Sequence, residues 1–405
     1  MEVIMTNTKI IFKKDKSYNS IPIYSSEEID YKYKLGEKRL VTEQGRYPLD
    51  SLDTILNKSI QLDPEYQRSF VWDNRQKSKL IESFIMNIPI PPVFLYEVEF
   101  AKYEVMDGRQ RLTTIRDFYT DAFALEGLDI WKELNGMKYS QLPENVKLGI
   151  DRRYISTIVI LNETAKTEEE AFELKQHVFE RLNTGGTKLS DQEIRNAIMR
   201  GPMNDFCKNT ALESSVFQSI WNIQKLDNYF LSEIENSSTI DKYIRMEDVE
   251  LVLRFFAYRQ LEENPKNSVK HILDLYLKEA NEQIITELQF DEMRSLFEKT
   301  LQLQLQIFGD KLFKLYTFKK NSKQFTWNNR NTKLLYDPLN IIFSGYIQDN
   351  KVVTIKSGVN FKKELENLYK DNQETFNGRN NAKLNVVQRV NLFEEFFDRT
   401  LQVID

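Results

Sequence analysis

The stretch YEVMDGRQRLTTIR (103–116) constrains the fold more than any other, because a strand pattern in it runs directly into a helix pattern. Alternating side chains in KYEVMD (102–107) predict a strand, and PVFLYEV (92–98) predicts a second strand just before it. The segment GRQRLTTIRDFYT (108–120) then predicts a helix whose apolar stripe is Leu112, Ile115, Phe118 and Tyr119. The centre of the N-terminal half is therefore predicted to be a strand hairpin that leads into a helix.

The pattern along the chain changes near residue 200. Before that point the predicted elements are a strand at 152–161 and helices at 51–59, 75–87 and 167–183. Ser190 and Glu193 have the spacing of a capping box for one more helix. Beyond it the pattern is mostly helical, with amphipathic segments at 246–261, 268–280 and 291–309 and shorter apolar segments at 331–347 and 385–402. We expect an α+β chain, with an N-terminal arm (1–45), an α/β domain with a small mixed sheet (46–205) and a mostly α-helical C-terminal domain (206–405).

Composition excludes several classes of protein. The chain has 405 residues, 41% of them hydrophobic, and a net charge of −5, which argues against a general charge-driven nucleic-acid binder. The single cysteine, Cys207, cannot form an intrachain disulfide, and the absence of CxxC or Cys/His clusters argues against a structural zinc site. Neither a signal peptide nor an apolar run of membrane-spanning length is found, so we expect a cytoplasmic protein without a membrane partner.

The start of the helix at 108–120 has the residues of a phosphate pocket. Gly108 permits close backbone approach, and the free N–H groups of a first helical turn attract anions. Arg109 and Thr113 add a cation and a hydroxyl. Each residue advances about 100° around the helix, so Arg111 falls at the edge of the buried face, where its guanidinium needs a carboxylate, a carbonyl or an anionic ligand. The alternative is structural: Asp107 and Gln110 cap the helix, and Arg111 pairs with a buried glutamate.

Two further polar clusters are weaker signals. Tyr66, Gln67 and Arg68 follow Pro64 in an extended segment that is either a surface loop or a second wall of the same cavity. The other cluster lies around a Gly-Gly loop between two helices, which either brings backbone amides to a ligand or simply ends the first helix. Its members are Arg181, Asn183, Gly185, Gly186 and Asn196.

Taken together, four stretches resemble a known family. They are DPEYQRSFVW (63–72), IPIPPVFLY (88–96), VMDGRQRLTT (105–114) and VFERLNTGGTKLSDQEIRNA (178–197). Their residues, their order and their approximate spacing resemble those of the N-terminal domain of GmrSD-type modification-dependent restriction systems. That domain is related to the ParB/sulfiredoxin nucleotide-binding fold. The resemblance covers roughly residues 45–200. It implies binding and hydrolysis of a nucleoside triphosphate with Mg²⁺, coupled to recognition of modified DNA.

The resemblance also implies roles for single residues. The family's acidic-Gly-Gln-Gln-Arg motif falls on residues 107–111, where Arg109 replaces the first glutamine and adds positive charge near the triphosphate. Arg111 and Arg68 would contact phosphates. Asp107 would hold Mg²⁺ or orient the attacking water, and Gln110 would position that water or the ribose. The remaining expected nucleotide contacts are Tyr66, Gln67, Gly108, Arg109, Thr113, Arg181, Asn183, Gly185 and Gly186.

Many relatives carry a C-terminal HNH nuclease, whose chemistry needs a histidine base and metal-binding partners. This chain has only two histidines, His177 and His271, each alone within a predicted helix. The triplet Glu173-Leu174-Lys175 has nuclease-like residue types but lies in a helix instead of on the strand that such sites use. We therefore expect no nuclease centre, and a separate effector or nuclease subunit as partner.

The segment FGDKLFKLYTFKKNSKQFTWNNRNTKLLYD (308–337) interleaves basic and aromatic residues. Such a mixture suits base stacking with phosphate contacts, so DNA is one expected partner. A solvated basic loop beside an apolar helix, or a dock for an acidic subunit, explains it equally. The basic residues are Lys311, Lys314, Lys319, Lys320, Lys323, Arg330 and Lys333, and the aromatic ones are Phe313, Tyr316, Phe318, Phe325 and Trp327.

Three interpretations of the whole chain stay open at this stage. It is a nucleoside triphosphatase of a phage-defence or restriction system, a sensor that binds nucleotide or modified DNA without turnover, or an adaptor in which the polar motifs only hold the fold together. The amphipathic C-terminal helices fit a homodimer and equally a plain helical core.

Overall fold

A computed structural model describes residues 9–12, 25–34, 40–62, 72–164, 167–182, 190–223, 246–319, 322–376 and 382–404. The chain divides into two compact units. The first comprises residues 19–194, and the second comprises residues 1–18 and 195–405. The domain boundaries expected at 45 and 205 stay predictions.

The first unit is built around a five-stranded mixed sheet with the order β1-β5-β3-β4-β2. Its strands are β1 (Thr42–Pro48), β2 (Ile60–Gln61), β3 (Val93–Glu99), β4 (Lys102–Asp107) and β5 (Tyr154–Ile160). The predicted hairpin is the antiparallel β3–β4 pair, whereas β3 runs parallel to β5 and β2 runs parallel to β4. The edge strand β1 pairs antiparallel with β5 from Thr42↔Ile160 to Pro48↔Tyr154.

The four helices that the sequence periodicity predicts before the Gly-Gly segment are present, and two more, at residues 26–34 and 144–151, were not predicted. The described helices of the first unit are α1 (Ser26–Lys34), α2 (Leu52–Lys58), α3 (Asn74–Ile85), α4 (Arg109–Tyr119), α5 (Glu144–Asp151) and α6 (Glu168–Leu182). Val93 and Leu95 of β3 share one buried core with Leu112 and Phe118 of α4. The apolar stripe of α4 therefore faces the sheet, and the polar start of this helix lies at the end of β4.

The second unit is mostly helical, which confirms the predicted α+β class. α7 (Asp191–Ile198) crosses the division between the units. Its other described helices are α8 (Pro202–Glu213), α9 (Ser215–Trp221), α10 (Glu247–Arg259), α11 (Val269–Glu282), α12 (Glu287–Phe308), α13 (Lys333–Gln348), α14 (Phe361–Asp371) and α15 (Lys383–Thr400). Two antiparallel strand pairs interrupt them: the hairpin of β6 (Tyr316–Lys319) and β7 (Gln324–Trp327), and the pair of β8 (Val352–Ile355) with the distant β9 (Leu401–Ile404). No described helix is both long enough and apolar enough to span a bilayer.

A buried ionic network joins helices of the second unit. The side chains of Arg254 and Asp337 are 6% and 5% exposed and form a two-point ion pair, in which Arg254 Nε donates to Asp337 Oδ1 at 2.9 Å. Glu250 accepts from Lys333 Nζ at 2.9 Å and lies 3.5 Å and 3.7 Å from the guanidinium groups of Arg254 and Arg195. Burial alone would raise the pKa of Glu250, but these three cations hold it below its ordinary value.

Candidate functional site

The first motif, residues 107–113, lies at the turn between β4 and α4. β4 ends at Asp107, Gly108 has a left-handed backbone (φ 96°), and α4 begins at Arg109. A Cβ at Gly108 would lie 2.7 Å from Val93 Cγ2 and 3.0 Å from Arg111 Nη2. Glycine is therefore required both by the backbone angle and by the close approach of β3.

Arg111 is anchored within this turn by a carboxylate and by backbone carbonyl groups. Its side chain is only 11% exposed, and Nη2 donates to Asp107 Oδ2 at 2.8 Å. Nη1 donates to the carbonyl oxygens of Pro91 and Pro92, the latter at 3.3 Å. These contacts use at most three of the five guanidinium N–H groups. Arg111 thus fastens the entry of β3 to the first turn of α4.

The structural alternative for the turn is wrong in its details. Asp107 does not cap α4, whose N-cap is Gly108 without any side-chain capping bond. The carboxylate pairs with Arg111 instead, so the expected buried glutamate is replaced by an aspartate whose side chain is 51% exposed. Asp107 is the last residue of β4 and lies outside α4, so its pair with Arg111 is made across the left-handed turn at Gly108.

Gln110 ties a second motif to the same turn. Its Oε1 accepts from the backbone N–H of Trp72 at 3.2 Å. On the other side of that motif, β2 runs parallel to β4 with Ile60 opposite Tyr103 and Gln61 opposite Glu104. β2, which precedes the segment 63–71, therefore runs in the same direction as β4, toward the end at Asp107. Trp72, which follows the segment, is bonded to the first turn of α4. Tyr66, Gln67 and Arg68 lie outside the described residues.

Arg109 and Thr113 share one face of α4, because they are four residues apart. Both are half-buried, and Arg109 engages in further interactions within the chain. Asp107 is exposed, so the turn is partly open to solvent at these three side chains. The structure therefore brings together all the described members of the first motif, namely Asp107, Gly108, Arg109, Gln110, Arg111 and Thr113.

An ion pair that was not predicted from the sequence ties α6 to β4. Lys175 Nζ contacts Glu104 Oε2, and the two side chains are 15% and 7% exposed. The same ammonium lies 5.3 Å from the centre of the Tyr96 ring. Burial, and then the charge of Glu104, raise the pKa of Tyr96. A carboxylate at a core-facing position of a strand was the only available signal for this pair.

This anchor fixes the helix that leads to the third cluster. Arg181 is exposed in the last turn of α6, six residues and so about 9 Å beyond Lys175 along the axis. Asn183, Gly185 and Gly186 lie outside the described residues. Asn196 belongs to the second unit, is buried there, and its Nδ2 contacts Met246 Sδ.

The capping box that follows the Gly-Gly segment is confirmed. The Ser190 N–H donates to Glu193 Oε2 at 2.7 Å, and the Glu193 N–H donates to Ser190 Oγ at 3.2 Å.

As for metal ligands, His271 contacts Ser268 Oγ at the start of α11, and the described residues hold no group of three histidine, cysteine or carboxylate side chains that could bind a metal ion.

The close packing at Gly108 gives a direct test of this turn. Gly108→Ala should lower the free energy of unfolding by about 2 kcal/mol or more, because alanine disfavours a positive φ and its methyl group would meet Val93. Urea denaturation measures this change. Gly149→Ala is the matched control, since Gly149 lies in α5 with open space around it and should gain about 0.5–1 kcal/mol. A neutral Gly108→Ala would contradict the described turn.

Comparison with known proteins agrees with the motifs. Residues 52–200 match the family model described as the GmrSD restriction endonuclease, N-terminal domain. No curated protein and no solved structure matches the chain. The relation to the ParB/sulfiredoxin fold stays a prediction. The matched range contains the β4–α4 turn, both flanking motifs and the capping box of α7. Residues 52–200 are therefore a domain of the GmrSD N-terminal family, as the four motifs predicted.

Proposed function

We propose that this chain is a component of a restriction or phage-defence system that binds a nucleoside triphosphate with Mg²⁺ at the β4–α4 turn and hydrolyses it. The observation that carries the proposal is that the segment 63–71 and the glycine turn at 107–111 are both held at the end of β4 and the start of α4. The segment with Gln67 and Arg68 starts beside β4 and ends on Gln110. The glycine turn with Arg109 and Arg111 lies between these attachment points.

The turn offers what a triphosphate requires. Backbone N–H groups at the start of α4 and the positive end of its dipole favour an anion. Arg109 adds a cation on the open side, and Arg111 holds the turn in shape while retaining guanidinium N–H groups for a phosphate oxygen. The match to a restriction endonuclease family supports a role in defence. In this proposal, DNA cutting is carried out by another subunit.

Asp107 is the residue that would hold Mg²⁺. Magnesium in nucleotide sites is commonly bound by one or two carboxylates together with phosphate oxygens and water. A half-exposed aspartate at the mouth of the turn fits this pattern, although Arg111 already occupies Oδ2. A bound Mg²⁺ would supply neutralisation of phosphate charge. The ion pair with Arg111 sets the orientation of the carboxylate toward the open side.

Gln110 has two roles in this proposal. It positions water or ribose, and its hydrogen bond to Trp72 holds the end of the segment that carries Gln67 and Arg68. It is therefore a positioning residue for that segment. Arg181 and the Gly185–Gly186 backbone would close over the nucleotide from the end of α6.

A second function, nucleotide sensing without turnover, is favoured by one feature. The first glutamine of the family motif is Arg109 here, and a cation in that place strengthens phosphate binding without offering an amide to orient water. Tight binding with no release of inorganic phosphate would identify the chain as a sensor. Absence of nucleotide binding would leave the adaptor interpretation.

The proposal predicts a specific loss of affinity in Arg109→Ala. The full chain is titrated with each of the four ribonucleoside triphosphates and Mg²⁺ by calorimetry, and phosphate release is followed with and without DNA. Removing one charge-assisted phosphate contact should weaken binding about tenfold or more.

Arg116→Ala is the matched control for this variant. Arg116 lies on the same face of α4, two turns or about 10.5 Å further from its start, and pairs with Asp117 at 3.1 Å. Its affinity should equal that of wild type. Equal affinities for Arg109→Ala and Arg116→Ala would remove Arg109 from the site, and a folded wild-type chain that binds no nucleotide would refute the proposed function.

A further inference from the structure

The basic-aromatic segment of the second unit forms an ordered hairpin instead of a loop. β6 and β7 pair antiparallel with Tyr316 opposite Trp327 and Phe318 opposite Phe325. Residues two apart on a strand and directly opposite across a pair share one face. The four rings therefore lie on the same face of the hairpin. Their centres are 5.2 Å apart for Tyr316 and Trp327 and 5.3 Å apart for Phe318 and Phe325.

α14 packs against the Trp327 end of this aromatic face, and its Lys370 also lies over the neighbouring Tyr316 and Phe325 rings. The Trp327 indole Nε1–H donates to Glu366 at 2.9 Å, and the ring lies 5.9 Å from that of Tyr369. Toward the other end the cover is lost, and Phe318 is 46% exposed. The hairpin is thus anchored to the helical unit at Trp327 and offers an open ring beside Phe325 at its free end.

Lysines border the open end. Lys370 Nζ lies 5.5 Å from the Tyr316 ring centre and 5.8 Å from the Phe325 ring centre, and Lys323 is exposed in the turn. Lys319 alternates with Phe318 on β6 and so lies on the opposite face, where its Nζ donates to Asn328 Oδ1 at 2.8 Å. The acidic groups near the hairpin are already engaged, Glu366 with Trp327 and Asp310 with Lys311. The segment 308–337 contains seven lysines and arginines against two aspartates, in a chain with a net charge of −5.

We propose that this hairpin binds single-stranded DNA, with a base stacking on Phe318 beside Phe325 and phosphates contacting Lys323 and Lys370. An acidic protein would pair with the lysines but would not account for the exposed Phe318 ring. Duplex DNA would also pair with the lysines, but its bases are stacked inside the helix and cannot stack on Phe318. Unpaired bases between phosphates match both features. The choice of DNA instead of RNA rests on the proposed function in a restriction system.

Fluorescence anisotropy of a labelled oligothymidine of about 20 nucleotides tests the stacking surface. The full chain is used without nucleotide, so failure of this inference is separate from failure of triphosphate binding. Phe318→Ala should weaken binding about tenfold. Phe318→Leu should weaken it similarly while retaining an apolar side chain, which separates loss of stacking from loss of folding.

Phe100→Ala is the matched control. Phe100 is 96% exposed at the β3–β4 turn of the first unit, where its neighbours are the two glutamates Glu97 and Glu99 and one lysine, Lys102. This variant should bind oligothymidine like wild type. Unchanged affinity in both Phe318 variants, or tighter binding of a duplex or of an oligouridine of equal length, would overturn the inference.

The lysines are tested by the dependence of affinity on salt. For single strands, the slope of log affinity against log salt concentration changes by about 0.7 for each phosphate contact. Lys370→Gln should reduce the magnitude of the slope by about this amount. A slope equal to that of wild type would show that Lys370 contacts no phosphate and would contradict the proposed path of the strand.

Discussion

Arg111→Ala should reduce the affinity for nucleoside triphosphate about 100-fold and abolish turnover. The guanidinium loses its phosphate contacts, each charge-assisted bond contributing roughly 1.5–3 kcal/mol. The turn itself also loosens, since the Pro91–Pro92 carbonyls and Asp107 lose their common partner. Binding is measured by calorimetry at a temperature where circular dichroism shows that the variant is folded.

Arg111→Gln separates the two effects of this substitution. A glutamine amide can still donate to the carbonyl oxygen of Pro91 or Pro92, but it carries no charge for a phosphate. It should recover part of the lost stability and none of the lost affinity. Wild-type affinity in folded Arg111→Ala would show that Arg111 only positions the turn and that the phosphates lie elsewhere.

Asp337→Ala should lower the free energy of unfolding of the second unit by about 3–5 kcal/mol. The reason is that Arg254, which is almost fully buried, would keep its charge without the two-point partner, while burial excludes water from replacing it. Guanidinium chloride denaturation followed by circular dichroism measures the loss. Nucleotide binding by the first unit is recorded in parallel.

The control is another aspartate of the same unit. Asp310 pairs with Lys311, but its side chain is 77% exposed, so Asp310→Ala should change stability by about 1 kcal/mol or less. The double variant Arg254→Met, Asp337→Leu removes both charges and should recover much of the stability lost in the single variant. A loss below about 1 kcal/mol in Asp337→Ala would show that water reaches Arg254.

The sequence predicted most of the helices and strands because their signals are local. The apolar periods of 75–87, 108–120 and 167–183 reappear as α3, α4 and α6 with ends within two residues. The hairpin β6–β7 was missed although its aromatic residues alternate at Tyr316, Phe318, Phe325 and Trp327. Strands of four residues in a lysine-rich segment are too short for the period to stand out.

The candidate site was predicted in its residues but not in its bonds. The Asp107–Arg111 pair depends on the positive φ of Gly108, which a helix-capping pattern ignores. The Lys175–Glu104 pair joins residues 71 positions apart, and the Gln110–Trp72 bond joins residues 38 apart. Such contacts follow from the tertiary arrangement, and a single sequence provides no local signal for them.

The position of β1 at the edge of the sheet has a consequence for isolating the first unit. The family match begins at residue 52, but β1 ends at Pro48 and covers the whole outer side of β5. A fragment cut to the matched range would therefore expose a row of unpaired N–H and C=O groups on β5 and invite edge-to-edge aggregation. In this chain the sequence family and the folding unit have different boundaries, and a soluble fragment must begin before Thr42.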